Sequence, residues 1–303
     1  MKKPPTNVSA SVIARLKNIA DKEHLDFNFL FLRYIQERFL SRLAASRYTD
    51  KLVLKGGLLL LAYNIEKARP TKDIDFLGVD VSSNHEDIKR LIKEIATVDL
   101  GDGVTFLPDS LKSESITEDA GYEGVRLKIT ARVGTARNTI RIDFGFGDII
   151  SPRPVYMDYP TLLDGKTFNI LVYSKETIVA EKFEAIVKLG TINSRMKDFY
   201  DISFLAGQFA FEATPLQSAV KNTFERRETS LTSAMERLQT EYDNEDEFQQ
   251  QWVTFKNRTT LASKQDFDSV FKDIQAFLLP IVNALLEGIP INQVWNRRAR
   301  RWE

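Results

Sequence analysis

The chain has 303 residues, with 42 Lys+Arg balancing 42 Asp+Glu, and 43% of its residues are hydrophobic. That composition belongs to a globular protein with enough apolar material for one large or two ordinary domains; it excludes a uniformly basic nucleic-acid coat protein but leaves room for a local basic face. Cys is absent and His occurs only as His24 and His85, which excludes disulfides, thiolate metal sites and a cysteine nucleophile, and argues against a histidine-rich zinc site.

The first residues are basic (Lys2, Lys3) but run into Pro4-Pro5 instead of an apolar stretch, so no secretory signal is expected. No apolar run of about 18 residues is read, so no transmembrane helix and no membrane partner are expected, and the expected compartment is cytoplasmic. Residues 8–22 and 26–46 read as helices, the second capped by Asp26 and carrying Phe27, Leu30, Phe31, Tyr34, Ile35 and Phe39 at core spacing. His24 is expected at a solvated helix end. Lys51 to Leu54 reads as a short strand or a helix end leading to Gly56-Gly57, and Leu58 to Ile65 as a buried helix. A polar loop from Glu66 to Lys72 leads to a strand, Asp73 to Val79. Asn84 caps a helix through Ala96, with His85 expected to be exposed.

A β-rich region follows. Val104 to Leu107 reads as a short strand, and Gly121 to Val133 pairs antiparallel with Asn138 to Phe146 across a loop at 134–137. Pro152, Pro154 and Pro160 suggest an irregular crossing, and Leu162 to Tyr173 a short hairpin about Asp164-Gly165. From Ser174, a helix cap, the pattern is helical over 175–190, 197–209, 215–228, 231–241, 245–258 and 265–287. The expected class is therefore α+β: a mixed-sheet domain over residues 1–173 and an all-helical domain over 174–303.

The chemistry concentrates in a few places. Asp73 and Asp75 lie two apart, so a strand sets both carboxylates on one face, as a Mg²⁺ ion bridging to nucleotide phosphates requires. Gly56-Gly57 stand between a strand and a helix, where backbone N–H groups approach a phosphate. Taken singly, an Asp-x-Asp or a Gly-Gly pair is commonplace. Asp143, inside the apolar run Ile142-Asp143-Phe144, is the natural third acid, with an ion pair to Arg141 or Arg132 as its structural alternative. Lys182 falls in the apolar stripe of Ile178, Ala185, Ile186 and Leu189 and calls for an anion there, a phosphate or a carboxylate, with a snorkelling lysine at the stripe's edge as the structural alternative. Asp198 and Asp201, at i and i+3, share a helical face, and Asp198 also suits a helix-dipole role. The expectation is that the three acids converge and that Lys182 faces them.

These motifs together resemble the AbiEii/MenT nucleotidyltransferase toxins of bacterial toxin–antitoxin and phage-exclusion systems. They are Gly56-Gly57 with Asp73-Ile74-Asp75, then Ile142-Asp143-Phe144, Lys182-Phe183 and Arg195-x-Lys197-Asp198-x-x-Asp201. The resemblance covers residues 50–205. Departures from the family pattern stand at Gly57 (often Ser), Leu189 (commonly Arg) and Asn193 (often Ser or Thr). The resemblance implies a DNA-polymerase-β-like catalytic fold, an NTP substrate, Mg²⁺, a cognate antitoxin and, as acceptor, RNA at the tRNA 3′ end, with translation blocked. It implies that Asp73, Asp75 and Asp143 hold metal and that Lys182 binds triphosphate. Asp198 would be an essential polar residue, Asp201 would assist at the nucleotide, and Gly56 and Gly57 would shape the phosphate loop. The same core would also serve transfer to a protein or small molecule, or a non-catalytic nucleotide binder. The Arg/Trp tail, Trp295 to Trp302, suits phosphate contact and base stacking but reads first as a frayed basic terminus. Arg126, Lys128, Arg132, Arg137 and Arg141 are candidates for a basic sheet face.

Overall fold

The computed structural model describes residues 7–63, 70–117, 123–147, 150–190, 195–239, 245–259 and 265–303. Ile65, residues 66–69, Gly121 and Asn193, named above, lie outside them. The chain divides into two units, one of Met1–Ala62, Pro70–Gly147 and Val155–Val172, the other of Tyr63–Arg69, Asp148–Pro154 and Tyr173–Glu303.

The first unit opens with α1 (Val8–Glu23) and α2 (Phe27–Ala44), the latter capped by Asp26, whose carboxylate accepts from the Phe29 N–H at 2.8 Å. Then come β1 (Leu52–Lys55), α3 (Gly56–Tyr63), β2 (Asp73–Gly78) and α4 (His85–Ala96). They are followed by β3 (Val104–Thr117), β4 (Glu123–Val133), β5 (Ala136–Phe146), β6 (Val155–Pro160) and β7 (Thr167–Val172). The seven strands form one mixed sheet in the order β3-β4-β5-β2-β1-β7-β6. The acid-bearing strands β2 and β5 are both internal and run parallel to each other.

Side chains alternate across this sheet. Ile74, Phe76, Leu127, Ile129, Ile142 and Phe144 are fully buried on one face, which α2 and α4 cover with Ile35, Phe39, Ile88 and Ile92. The opposite face carries Lys55, Asp73, Asp75, Arg126, Lys128, Arg141 and Asp143, because registered neighbours point the same way.

Three expectations need correction here. Val104 begins a 14-residue strand, broken by a register shift between Leu107 and Lys112 that accommodates Pro108. The proline-rich crossing contains β6, which pairs with β7 across the Asp164-Gly165 turn; it is an edge strand, where Pro160 costs no ladder bond. His85 is half-buried, its ring nitrogens 3.0 and 3.2 Å from the hydroxyls of Ser113 and Ser115.

The second unit holds α5 (Lys175–Leu189), capped by Ser174, then α6 (Met196–Gln208), α7 (Ala213–Arg226), α8 (Leu231–Gln239), α9 (Glu245–Thr259) and α10 (Phe267–Glu287). A two-stranded ribbon, β8 (Trp295–Asn296) with β9 (Arg301–Trp302), closes it. The tail is thus not frayed. Trp295 is fully buried, its indole donating to the Ala206 carbonyl at 2.8 Å, and the Trp302 indole donates to Phe277 at 2.9 Å. The buried Trp295 ring is not free to stack on a base, and one face of the half-buried Trp302 ring is taken by Phe277. Arg300 pairs with Asp273, Arg301 with Glu303, and Arg297 donates to the Gln208 carbonyl. Helix α10 is also more apolar than expected: by length and composition it is the one described helix able to cross a membrane, with mean hydropathy 1.4. Its apolar side serves instead as core, with Val270, Ile274, Phe277, Leu278 and Ile281 buried.

Candidate active site

In the first unit the acids are set by strand geometry. Asp73 and Asp75 alternate with buried Ile74 and Phe76 on β2, so their side chains project from the polar face. Parallel pairing places Asp143 of β5 directly beside Asp75, and Arg141 beside Asp73. All three acids therefore share a face.

They do not, however, gather into one cluster; among the described residues no three His, Cys, Asp or Glu side chains are grouped closely enough to hold a metal ion. The reason is the arginines. Arg126 of β4 takes both oxygens of Asp143, Nε at 2.8 Å and Nη2 at 2.7 Å, a bidentate charge-assisted pair. That hydrogen bond, outweighing partial burial, raises the Arg126 pKa. Arg141 Nε lies 2.5 Å from Asp73 Oδ1, and Lys128 pairs with Glu114 at 2.8 Å. Three cations of the sheet face, Arg126, Lys128 and Arg141, are thus matched by carboxylates, while Arg132 and Arg137, cross-strand partners on that face, are exposed. The partner of Asp143 is neither Arg141 nor Arg132. A two-residue turn at Gly134-Thr135, with Gly134 at φ +60°, pairs Val133 with Ala136 and, counting back, Arg126 with Asp143. Placing a four-residue loop at 134–137 shifts that register by two and misses Arg126; the shorter turn is the signal in the sequence that would have pointed to it.

Helix α3 begins at Gly56, directly after β1, so Gly56 and Gly57 form its first turn instead of a loop before it. Gly56 has φ +71°, and a Cβ there would fall 2.0 Å from Asp75 Oδ2. The backbone approaches the second acid closely enough that only glycine fits. The helix start presents backbone donors and a partial positive charge beside that carboxylate.

The fit to a divalent cation follows from these donors. Asp73 and Asp75 supply hard oxygens from one strand face, suitable for Mg²⁺. Asp143 is in register beside Asp75, but would have to give up Arg126 to join them.

In the second unit Lys182 has found its anion in carboxylates. Its Nζ is 3.0 Å from Asp198 Oδ1 and 2.7 Å from Asp201 Oδ2. Both acids come from consecutive turns of α6 and are 3% and 1% exposed. Arg195 Nε adds a contact to Asp198 Oδ2 at 3.4 Å, so two cations match two anions. Burial acts to raise the Asp198 pKa, but Lys182, Arg195 and Lys197 together outweigh it and hold the carboxyl below 3.8. Asp198 therefore does more than favour the helix dipole; Arg195 occupies the N-cap position, with no side-chain cap bond. Beside them, burial and the Asp201 charge push the Tyr200 phenol up to about 12.

A family model described as "Nucleotidyl transferase AbiEii toxin, Type IV TA system" matches residues 38–273. The chain belongs to the AbiEii family. It is a nucleotidyltransferase of the toxin–antitoxin class, whose membership implies an NTP substrate and an antitoxin partner. No curated protein matches it in sequence. Among solved structures it is similar to JHP933 from Helicobacter pylori, at 16% identity and TM-score 0.51, over 87% of this chain and 96% of that one. A second H. pylori structure, of a candidate nucleotidyltransferase, matches at 15% identity and TM-score 0.50, over 87% and 98% of the two chains. At such identities these likenesses establish a common fold, consistent with a mixed-sheet unit and a helical one.

Proposed function

We propose that this AbiEii nucleotidyltransferase transfers a nucleotide from an NTP to RNA, at the tRNA 3′ acceptor end, in a Mg²⁺-dependent reaction that stops translation. The acceptor hydroxyl oxygen forms a bond to the α-phosphorus and its proton passes to water, while the bond from the α-phosphorus to the oxygen bridging to the β-phosphate breaks and pyrophosphate leaves with the electron pair. The observation that carries the reading is the alignment of Asp75 with Asp143 across neighbouring internal strands, Asp73 one pleat away on the same face. In this reading Asp73 and Asp75 would hold the ion and Asp143 would be the third acid. The ion, when bound, supplies positive charge against the polyphosphate. Gly56 and Gly57 offer backbone donors at the start of α3 for phosphate oxygens. Lys182 serves the triphosphate, and Asp198 and Asp201 fix its ammonium in place; that role rests on the family resemblance together with the ion pairs described.

The test is incubation with each radiolabelled NTP, Mg²⁺ and total tRNA. Label should appear on tRNA and vanish with EDTA and in Asp75→Ala. Label on protein instead, or NTP binding with no transfer by any nucleotide, refutes the RNA reading.

A further inference from the structure

Two arginines sit among the acids with no part in the reaction as written above. Arg126 projects from β4 and Arg141 from β5, and their side chains are 28% and 36% exposed, at the surface of the polar face. Each is already committed to an acid: Arg126 to both oxygens of Asp143, Arg141 to Asp73. At Asp143 a cation competes with the guanidinium for the same lone pairs; at Asp73 it competes with the Arg141 charge for an Oδ1 that makes no hydrogen bond. A guanidinium so displaced is left one strand spacing from the acids, roughly 4.8 Å, with its donors unmatched. Phosphate oxygens offer it the same two-pronged geometry that the carboxylate did.

We propose that Arg126 and Arg141 exchange carboxylate for phosphate. They neutralise Asp143 and Asp73 in the cation-free chain, and receive phosphate oxygens of the substrate once a divalent cation occupies the acids. The proposal rests on the reading of Asp73, Asp75 and Asp143 as the cation site. The ligand chemistry is a phosphate oxygen, with two sources: the triphosphate of the NTP or the backbone of the acceptor strand. Three features support the exchange over a purely structural pairing. The side chains are half-exposed, the Asp143 pair is bidentate, and both arginines lie on the same sheet face as the acids, in registered positions.

The experiment measures equilibrium binding by the full-length chain of each of the four NTPs, and separately of total tRNA, with Mg²⁺ and with EDTA. With Mg²⁺, Arg126→Gln and Arg141→Gln should each weaken one probe at least tenfold. Loss of NTP binding assigns the triphosphate; loss of tRNA binding assigns the strand. In EDTA the same variants should bind like the parent, because the arginines are occupied there. Asp143→Ala releases Arg126 without any cation, so it should strengthen EDTA-state binding of the affected probe several-fold, and Asp143→Ala combined with Arg126→Gln should abolish that gain. Arg126→Lys, which keeps charge but not the fork, should recover only part of the loss. Unchanged binding of both probes by the glutamine variants in Mg²⁺ overturns the exchange, as does an Asp143→Ala chain with no gain. If Arg126→Gln does not fold, the Asp143→Ala arm still decides. A parent chain that transfers nucleotide while its arginine variants bind normally refutes the exchange alone; a parent that binds neither probe refutes the functional reading beneath it.

Discussion

Gly56 shows how much a single hydrogen in place of a methyl group decides. Its φ of +71° would cost an L-residue about 1–2 kcal/mol, and a Cβ there would overlap the Asp75 carboxylate. Gly56→Ala should therefore lower the melting temperature and, by displacing Asp75, weaken Mn²⁺ binding measured by electron paramagnetic resonance. Lys182 makes the opposite case, a long side chain fixed by its surroundings. Lys182→Met leaves Asp198 and Asp201 buried without their shared cation, which should cost about 3–5 kcal/mol in urea unfolding. Adding Asp198→Asn and Asp201→Asn should recover most of that loss, since neutral amides need no counter-ion. The acid limb of stability follows from Asp198. Its folded-state pKa lies below the ordinary 3.8, so its contribution is complete above that value and is lost as pH falls through the folded one. Asp198→Asn should flatten the fall in stability below about pH 4, read from urea midpoints at a series of pH values. At this scale the sequence pointed to Lys182: a lysine in an apolar stripe calls for an anion, and it has two. What it left open was which anion, because that depends on how α5 and α6 pack, and residue spacing within one helix carries no such information.

At the scale of elements, hydrophobic period was a good guide wherever an element was long and periodic, as in α2, α4 and α10. It failed where turn chemistry or an irregularity decided the outcome. The β3 strand was cut short at Leu107 because the bulge before Lys112 breaks the alternation that marks a strand. Strand β6 was lost among prolines that only an edge position tolerates. The β4–β5 register, and with it the partner of Asp143, turned on whether two or four residues make the bend. The C-terminal ribbon was illegible for another reason: its strands are two residues long, and its order comes from Trp295 and Trp302 packing on Phe277. Trp295→Ala should therefore cost about 3–5 kcal/mol, measurable as a lower thermal midpoint, although the residue is only eight positions from the last.

For the molecule as a whole, zero net charge limits how an RNA can be held. On the sheet face Arg126, Lys128 and Arg141 are paired with carboxylates, which leaves chiefly the exposed Arg132 and Arg137 to replace counter-ions on a strand. The proposed tRNA association should then show a shallow salt dependence, with log K falling against log salt at a slope no steeper than about −3, since each single-strand phosphate contact contributes about −0.7. A filter-binding titration between low and physiological salt reads it directly, and a slope near −7 would mean a broad electrostatic footprint that this charge distribution does not provide.

The placement of β2 and β5 in the interior of the sheet has a consequence for how such a chain can diverge. Each is laced to a neighbour along both sides, so a single-residue insertion or deletion that shifts either strand would invert its pleat, sending Asp73, Asp75 or Asp143 into the apolar core and phenylalanines into water. The outer strand β3 already absorbs an irregularity and has only one neighbour. Length variation among descendants of this chain should therefore accumulate at the sheet's rim and be purged from its middle.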